Sequence, residues 1–315
     1  MQYSELHCIT NFTFLRGASH PHELVTMASN LGYRALAITD ECSLAGVVKA
    51  HVATFNRNIK LIIGSEFKID SHKVIVLVTN RNSYSKLSSL ITLARRRSKK
   101  GSYQIKWSDL KFNNDGLLII WLPCGDFKKD QLIISQLHDW FERRLWIGFH
   151  NLLNGTETSH LSYLQKLSLL WKVNVVACGD VHMHKKDRQP LQDVLTAIKQ
   201  KCSIMELGKS RYPNSERYLR KIEYLKNIYP EELMRETINI SNLCNFSLNE
   251  LRYEYPIEVV PKNLTSKEYL SFLVHQGAKK RWPSRIPKKI LSQINHELNI
   301  IHELNYETYF LTVYD

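Results

Sequence analysis

Residues 173–182 are Val-Asn-Val-Val-Ala-Cys-Gly-Asp-Val-His, a short and mostly apolar run that ends in glycine, aspartate and histidine. Similar runs of four to six residues occur at 36–39, 61–64, 74–78, 117–122 and 145–149. Short apolar runs without polar alternation are typical of parallel strands that are covered on both faces. The sequence therefore predicts a sheet built largely from such strands.

Amphipathic stretches lie between several of these runs. In residues 21–32, apolar residues recur at helical spacing, Pro21 suits the first helical turn and Gly32 suits the stop. Comparable stretches occur at 44–52 and 161–170. Alternating strands and helices predict a mainly parallel α/β sheet or barrel over residues 1–205.

After residue 205 the pattern changes to helices and polar connections, which we divide into a helical extension at 206–255 and a further segment at 256–315. Thr265 and Glu268 form a capping box before a predicted helix. The run Tyr309–Tyr314 is aromatic and apolar, typical of the opening of a buried strand or helix. We therefore expect a truncated chain that is prone to aggregate.

The chain has 315 residues, with 43 Lys and Arg against 30 Asp and Glu, a net charge of +13. Hydrophobic residues make up 43%, which excludes overall disorder. The positive charge favours a polyanionic partner, although many basic enzymes bind no nucleic acid.

The six cysteines contain no C-x-x-C pair, which argues against a disulfide framework and against a zinc ribbon. No apolar run approaches the ~18 residues that a membrane helix needs. The first residues do not resemble a secretory signal. We expect a cytoplasmic protein with reduced thiols and no membrane partner.

Polar residues follow the predicted strands in four places: Leu6-His7, Thr39-Asp40-Glu41, Gly64-Ser65-Glu66 and Gly179-Asp180-Val181-His182. In parallel α/β folds, reactive groups gather beyond the carboxyl ends of strands. Histidines and carboxylates that meet there suit a divalent metal that activates water for phosphoester hydrolysis. An alternative is that Asp40 and Asp180 cap the following helices and His7 is a hydrogen-bonded core residue.

Several motifs carry a more specific resemblance: residues 5–21 (Glu-Leu-His-Cys-Ile-Thr-Asn-Phe-Thr-Phe-Leu-Arg-Gly-Ala-Ser-His-Pro), 36–46, 63–67, 179–184, 191–198, 252–256 (Arg-Tyr-Glu-Tyr-Pro) and 297–315. Together they resemble the amino-terminal PHP (polymerase and histidinol phosphatase) domain of bacterial C-family DNA polymerases, in its error-prone, damage-induced form. The resemblance implies a distorted barrel of about seven β/α units over 1–205, its helical extension over 206–255, and the truncated start of a polymerase palm over 256–315.

The resemblance also implies a set of metal-ligand positions. Four are filled by residues of the family's type: His7, Glu66, Asp180 and His182. Three depart from it: Ile9 replaces a histidine, Arg16 an aspartate and Glu41 a histidine. A further family histidine falls at His72 or Lys73, and the sequence does not settle which.

These departures predict a degenerate, structural site. Ile9 has no donor atom for a metal, and the Arg16 guanidinium is always charged. Arg16 is expected to pair with Glu41, Glu66 or Asp180 in place of the metals. No cofactor is therefore expected in this chain, and manganese or zinc would bind only to an intact site.

Family polymerases hold magnesium with palm aspartates in an Asp-x-Asp context, which this sequence lacks. We expect no polymerase activity from this chain alone and no catalytic role for Asp315. The basic clusters Arg95-Arg96-Arg97 and Lys279-Lys280-Arg281 are candidate DNA contacts, or solvated helix ends.

Three functions remain open from the sequence. The first is the amino-terminal part of an error-prone DNA-directed DNA polymerase for damage-induced translesion synthesis, with DNA and polymerase accessory proteins as partners. The second is a stand-alone metal-dependent phosphoesterase, either a 3′–5′ exonuclease or a histidinol-phosphatase-like enzyme. The third is a non-catalytic interaction module.

Overall fold

Seven strands form one sheet in which the spatial order follows the chain order. The computed structural model describes residues 2–112, 114–251 and 260–315. The strands are β1 Ser4–Cys8, β2 Ala35–Ile38, β3 Lys60–Ile69, β4 His72–Val78, β5 Leu117–Leu122, β6 Leu145–His150 and β7 Val175–Cys178. Cys8 at the end of β1 bridges in parallel to Val181 just beyond β7, so the sheet curls into a nearly closed barrel. The predicted α/β barrel is confirmed.

Four of the six neighbouring strand pairs are parallel. The two exceptions involve β4, which runs antiparallel to β3 and β5. Residues 70–71 join β3 to β4 as a tight hairpin, and Asp70 adopts a left-handed conformation with φ +53°. One predicted helical crossover is therefore replaced by a hairpin, because two residues cannot hold the crossover that a parallel connection needs.

Strand β3 has ten residues, whereas its apolar run at 61–64 has only four. Its first half, residues 60–63, pairs with β2, and its second half, residues 64–69, pairs with β4. Glu66 therefore lies inside a strand, and the prediction that it follows the end of one is wrong. The sequence pattern misled because Ser65 and Glu66 interrupt the apolar run, although both are buried like residues of a core strand.

Nine helices accompany the barrel within residues 2–112 and 114–251: α1 Pro21–Asn30, α2 Val47–Thr54, α3 Arg81–Arg96, α4 Trp107–Phe112, α5 Phe127–Phe141, α6 Glu157–Trp171, α7 Gln189–Gln200, α8 Ile222–Ile228 and α9 Glu231–Leu243. Alternate strand residues face two apolar layers. The inner layer is a cluster that includes Leu6, Ile62, Ile120 and Val176 together with Ile240 of α9. The outer layer packs the strands on the surrounding helices.

Residues 206–251 are tied to the barrel by buried hydrogen bonds. The amide of Ser4 in β1 donates to Oγ1 of Thr237 at 3.1 Å, and the hydroxyl of Tyr229 donates to the carbonyl of Cys178 at 2.7 Å. By internal contacts, the chain divides after Leu251. The predicted boundary between residues 255 and 256, and the motif at 252–256, lie outside the described residues.

The second unit contains three described helices: α10 Ser266–Arg281, α11 Lys288–Glu303 and α12 Glu307–Tyr314. The predicted capping box is confirmed, because Oγ1 of Thr265 accepts from the Glu268 amide and the Glu268 carboxylate accepts from the Thr265 amide. In α12, Leu311 is buried while Phe310 and Val313 are exposed. Aggregation through this helix stays a prediction.

None of the helices in the described part of the chain combines the length and the apolar character that crossing a membrane would require.

The carboxylate of Glu5 joins the first and last strands of the barrel. Its Oε1 accepts from the amides of His7 and Gly179, both at 2.9 Å, and its Oε2 accepts from the hydroxyl of Tyr3. A side chain at position 179 would displace this carboxylate, because a Cβ atom there would lie 2.3 Å from Oε2 of Glu5. This buried carboxylate therefore stabilises the closure of the barrel.

We predict that Glu5→Ala lowers the free energy of unfolding by about 2–4 kcal/mol, because two buried amides lose their acceptor. Glu5→Gln is the matched control: it keeps an oxygen for both amides and should cost distinctly less. Urea denaturation of the three proteins measures the difference. Equal losses for the two variants would contradict this account of the closure.

Candidate functional site at the mouth of the barrel

A chain of hydrogen bonds crosses the barrel mouth through His7 at the end of β1. Nε2 of His7 lies 2.6 Å from Oε2 of Glu66, and Nδ1 lies 3.0 Å from Nε2 of His150. A carboxylate only accepts, so Nε2 of His7 donates to Glu66 and His150 donates to Nδ1 of His7. Both ring nitrogens of His7 are thus engaged within the protein.

Arg16 enters the mouth from the loop between β1 and α1. Its Nη1 atom lies 2.5 Å from Oε2 of Glu41 and also contacts Oε1 of Glu66. Glu41 is held further by the hydroxyl of Tyr103, which donates to its Oε1 at 2.9 Å. The predicted pairing of Arg16 therefore involves Glu41 and Glu66, and the structure pairs Asp180 with other cations.

Asp180 lies just beyond β7 between two cations. Its Oδ1 is 3.4 Å from Nζ of Lys73, and its Oδ2 contacts Nη1 of Arg217. Oδ1 is also 3.4 Å from Nε2 of the buried His182. Asp180 has φ +47°, a left-handed conformation that aspartate tolerates better than most residues.

The loop that carries Arg16 folds tightly over Thr10. A Cβ atom at Gly17 would lie 1.9 Å from the carbonyl oxygen of Thr10, so only glycine fits there. The amide and hydroxyl of Thr10 and the hydroxyl of Thr13 donate to the carboxylate of Asp40. Asp40 therefore organises this loop. The alternative that Asp40 caps the next helix is wrong, because the residue before α2 is Gly46.

The charges in this network balance without a metal. The cations of Arg16, Lys73 and Arg217 lie among the carboxylates of Glu41, Glu66 and Asp180. Burial by itself would raise the pKa of Glu66, but Lys73, 3.6 Å away, and Arg16 hold that pKa well below its usual value. Burial lowers the pKa of Arg217 to about 10, so its guanidinium stays charged at neutral pH.

The histidines of the mouth do not add to this charge. Burial lowers the pKa of His7 and takes the pKa values of His150 and His182 well below the usual range, and neighbouring cations add to the effect at His150 and His182. All three imidazoles are therefore neutral at pH 7. The Tyr212 ring packs edge-on against His182, with ring centres 5.4 Å apart.

The possible metal ligands at the mouth are largely engaged by other protein groups. His7, His150 and Asp180 offer ligand atoms within 4.8 Å of one another. However, both nitrogens of His7 are hydrogen-bonded and Asp180 is paired with two cations. A divalent ion would have to break these contacts and would stand close to fixed positive charges. Ile9, at the departed histidine position, is fully buried and offers only its amide, which donates to Val181.

Of the two candidates for the uncertain histidine position, Lys73 is the one that reaches the mouth. Lys73 faces the mouth, whereas His72 lies on the opposite face of β4, where its ring stacks on Trp121. Adjacent strand residues point to opposite faces, so only one of the two can reach the site. A lysine thus adds a second cation beside Arg16.

A second group of possible ligands, His72, Cys124 and Asp130, lies on that opposite face. Both oxygens of Asp130 are already used: Oδ1 accepts from the Cys124 amide, and Oδ2 accepts from the Gly125 amide and the Tyr163 hydroxyl. This group is a hydrogen-bonded clamp on the loop after β5.

Sequence reasoning missed His150 and Arg217, and it left the choice between His72 and Lys73 open because that choice depends on the register of β4. His150 ends β6, so the rule that reactive groups follow strand ends would have found it. Arg217 follows none of the strands in the described part of the chain, and no local signal marks it.

The basic clusters have different surroundings. Arg95 donates to the carbonyls of Glu41 and Cys42, and Arg97 pairs with Asp109 at 2.5 Å, while Arg96 is exposed. Lys279, Lys280 and Arg281 form the exposed last turn of α10. DNA binding by either cluster stays a prediction, and the structure gives Arg95 and Arg97 partners within the protein.

Comparison with known proteins indicates the class of protein to which this chain is similar. Residues 5–144 match the family model of the PHP domain, and residues 268–315 match that of the "Bacterial DNA polymerase III alpha NTPase domain". A putative metal-dependent phosphoesterase from Bifidobacterium adolescentis aligns with a TM-score of 0.43 at 17% identity, covering 57% of this chain and 88% of that one. Residues 5–144 are thus similar to a PHP domain, and residues 268–315 are similar to a segment of polymerase III alpha.

The more particular resemblance concerns error-prone DNA polymerases. The enzyme so named from Methylococcus capsulatus is 47% identical over 99% of this chain, and that from Saccharophagus degradans is 47% identical over all of it. The chain spans about 30% of the length of these relatives. The predicted similarity to the amino-terminal part of error-prone DNA polymerases is therefore confirmed.

We predict that Arg16→Met lowers the free energy of unfolding by about 3–5 kcal/mol at neutral pH, because it leaves buried carboxylates without their cation. Glu66 has a depressed pKa in the folded protein, so its contribution is present above pH ~4.5 and lost as the pH falls below that value. The loss caused by Arg16→Met should therefore shrink in acid.

Denaturation at several pH values measures this effect. Arg235→Met is the matched control, since Arg235 forms an exposed pair with Glu231 that contributes little. A small and pH-independent effect of Arg16→Met would contradict the proposed role of the ion network.

Proposed function

We propose that this chain is the amino-terminal part of an error-prone DNA-directed DNA polymerase that acts in damage-induced translesion synthesis in the cytoplasm. In this proposal the PHP barrel is a structural element without hydrolytic activity. The similarity over the whole chain to enzymes of that name supports the polymerase assignment. The ion network around Arg16 supports the structural role of the barrel.

Loss of hydrolytic activity follows from the charges at the mouth. Metal-dependent phosphoester hydrolysis needs cations that polarise the phosphoryl group and activate a water. Here the carboxylates that would hold such cations are paired with Arg16, Lys73 and Arg217. Guanidinium and ammonium groups stabilise phosphate charge, but they do not lower the pKa of a bound water as a metal does.

Polymerase chemistry would be supplied elsewhere in the longer protein. Two magnesium ions on palm aspartates would carry out phosphoryl transfer, and this sequence has no Asp-x-Asp pair to hold them. The role left for this chain is to fold stably beside the catalytic region and to contribute basic surface to DNA binding.

The alternative, a stand-alone phosphoesterase, draws support from one observation. His7, His150 and Asp180 are close enough to share an ion. Because this group is already satisfied by hydrogen bonds and ion pairs, the structural role is favoured.

We predict that the purified chain binds no stoichiometric manganese or zinc, that chelators leave its melting temperature unchanged, and that it has no metal-dependent exonuclease activity. The comparison variant is Arg16→Asp with Lys73→His, which removes both cations closest to Glu66 and should gain manganese binding. Elemental analysis and calorimetry measure both proteins. Two or more ions per wild-type chain would favour the hydrolase.

We predict that replacing Lys279, Lys280 and Arg281 by serine weakens binding to double-stranded DNA and makes the slope of log K against log salt less negative by about 2–3, because each phosphate contact releases about one counterion. The same change at Arg95, Arg96 and Arg97 should mainly lower stability, because Arg95 and Arg97 have protein partners. Fluorescence anisotropy at several salt concentrations tests this. An unchanged slope would exclude the α10 cluster from the DNA interface.

A further inference from the structure

Helix α7 buries polar side chains and exposes apolar ones. Its buried side chains are Gln192, Asp193 and Ala197. Its apolar residues Leu191, Val194 and Ile198 are exposed, Ile198 to 55%. Most amphipathic helices bury their apolar stripe, so an exposed stripe at this spacing marks a surface that contacts another polypeptide.

The exposed stripe continues onto the loop that carries Arg16. Phe14 in that loop is 80% exposed. A groove of about 290 Å³ lies between the loop and the start of α7, and its lining includes Phe14, Leu15, Leu191 and Leu195. We call Phe14, Leu191, Val194, Leu195 and Ile198 the α7 face.

The polar side of α7 is anchored, which fixes how the apolar side is presented. Asp193 accepts from Gln189 at 2.8 Å and pairs with Arg211 at 2.7 Å. Arg188, the residue before the helix, contacts Glu23 of α1. Rotating the helix to bury its apolar stripe would break these contacts, so the exposure is built into the fold.

The α7 face is also physically joined to the barrel mouth. Residues 14 and 16 belong to the same loop, and Arg16 fastens that loop to Glu41 and Glu66. The metal-free ion network thus holds the loop that presents Phe14. This connection gives the degenerate site a function in positioning an outer surface.

We propose that the α7 face is the docking surface for the polymerase region that the error-prone relatives carry beyond the part matched here. This inference rests on the proposed function. The relatives are about three times as long as this chain, so most of their mass is additional polypeptide. Residues 268–315 match the polymerase III alpha family model, so a polymerase region in the same polypeptide would be tethered and present at high effective concentration.

The charge around the α7 face indicates the chemistry of the docked surface. Residues 185–201 carry the cations Lys185, Lys186, Arg188, Lys199 and Lys201, against the carboxylates Asp187 and Asp193. The matching surface should therefore be an apolar patch bordered by carboxylates. A second copy of this chain, with the same basic border, would be repelled.

The experiment compares this 315-residue chain with a fusion in which it replaces the matching part of the Methylococcus capsulatus enzyme. Val194→Cys is made in both and labelled with a maleimide, and the rate at residue 194 is read by peptide mass spectrometry. The matched control is Leu169→Cys, at a leucine that is 81% exposed on α6. Hydrogen exchange of α7 in the proteins without these changes provides a second measurement.

We expect labelling at position 194 to be about tenfold slower in the fusion than in the chain alone, with the rate at position 169 unchanged. Equal rates at position 194, together with unchanged exchange of α7, would overturn the proposal. Protection in the chain alone that grows with its concentration would also overturn it, in favour of self-association. Polymerase activity of the fusion is measured separately: protection without activity refutes the proposed function and keeps the docking surface.

Discussion

The contact between Arg16 and Glu66 is the interaction on which the rest of the barrel mouth depends. Glu66 is almost completely buried, and a buried carboxylate is stable only with a nearby cation and hydrogen-bond donors. Arg16 supplies the cation from a loop and His7 supplies a donor from β1. Because Arg16 also contacts Glu41 beyond β2, one guanidinium connects three parts of the chain that are distant in sequence.

The barrel brings these groups together through the change of partner within β3. The first half of that strand continues the parallel sheet, and the second half turns the sheet into the antiparallel hairpin with β4. Glu66 and Lys73 lie in this hairpin, close enough for their opposite charges to attract. A regular β/α crossover at this point would have placed a helix between them. The irregular strand pairing therefore positions the ion network.

A fold suited to hydrolysis can be kept after its metals are lost if another set of charges stabilises it. In this chain the carboxylates of the mouth are paired with side-chain cations, which would serve this purpose in the proposed structural role. Such a barrel can act as a stable base for a larger enzyme. The loop that Arg16 fastens lies beside the exposed apolar side of helix α7. In the proposed docking, this one segment both stabilises the mouth and presents a surface to a further polypeptide.

The sequence by itself determined the alternation of strands and helices, the approximate positions of α1, α2 and α6, the start of α10, and the departures at Ile9 and Arg16, because these depend on local periodicity and on the chemistry of single side chains. It did not determine that β3 and β4 form a hairpin, that Lys73 and not His72 faces the mouth, or that Arg217 lies beside Asp180. Those outcomes depend on strand register and on contacts between residues that are distant in sequence, such as Lys73 and Asp180. Only tertiary structure decides which cation reaches which carboxylate, because spacing along the chain carries no information about distance across the barrel.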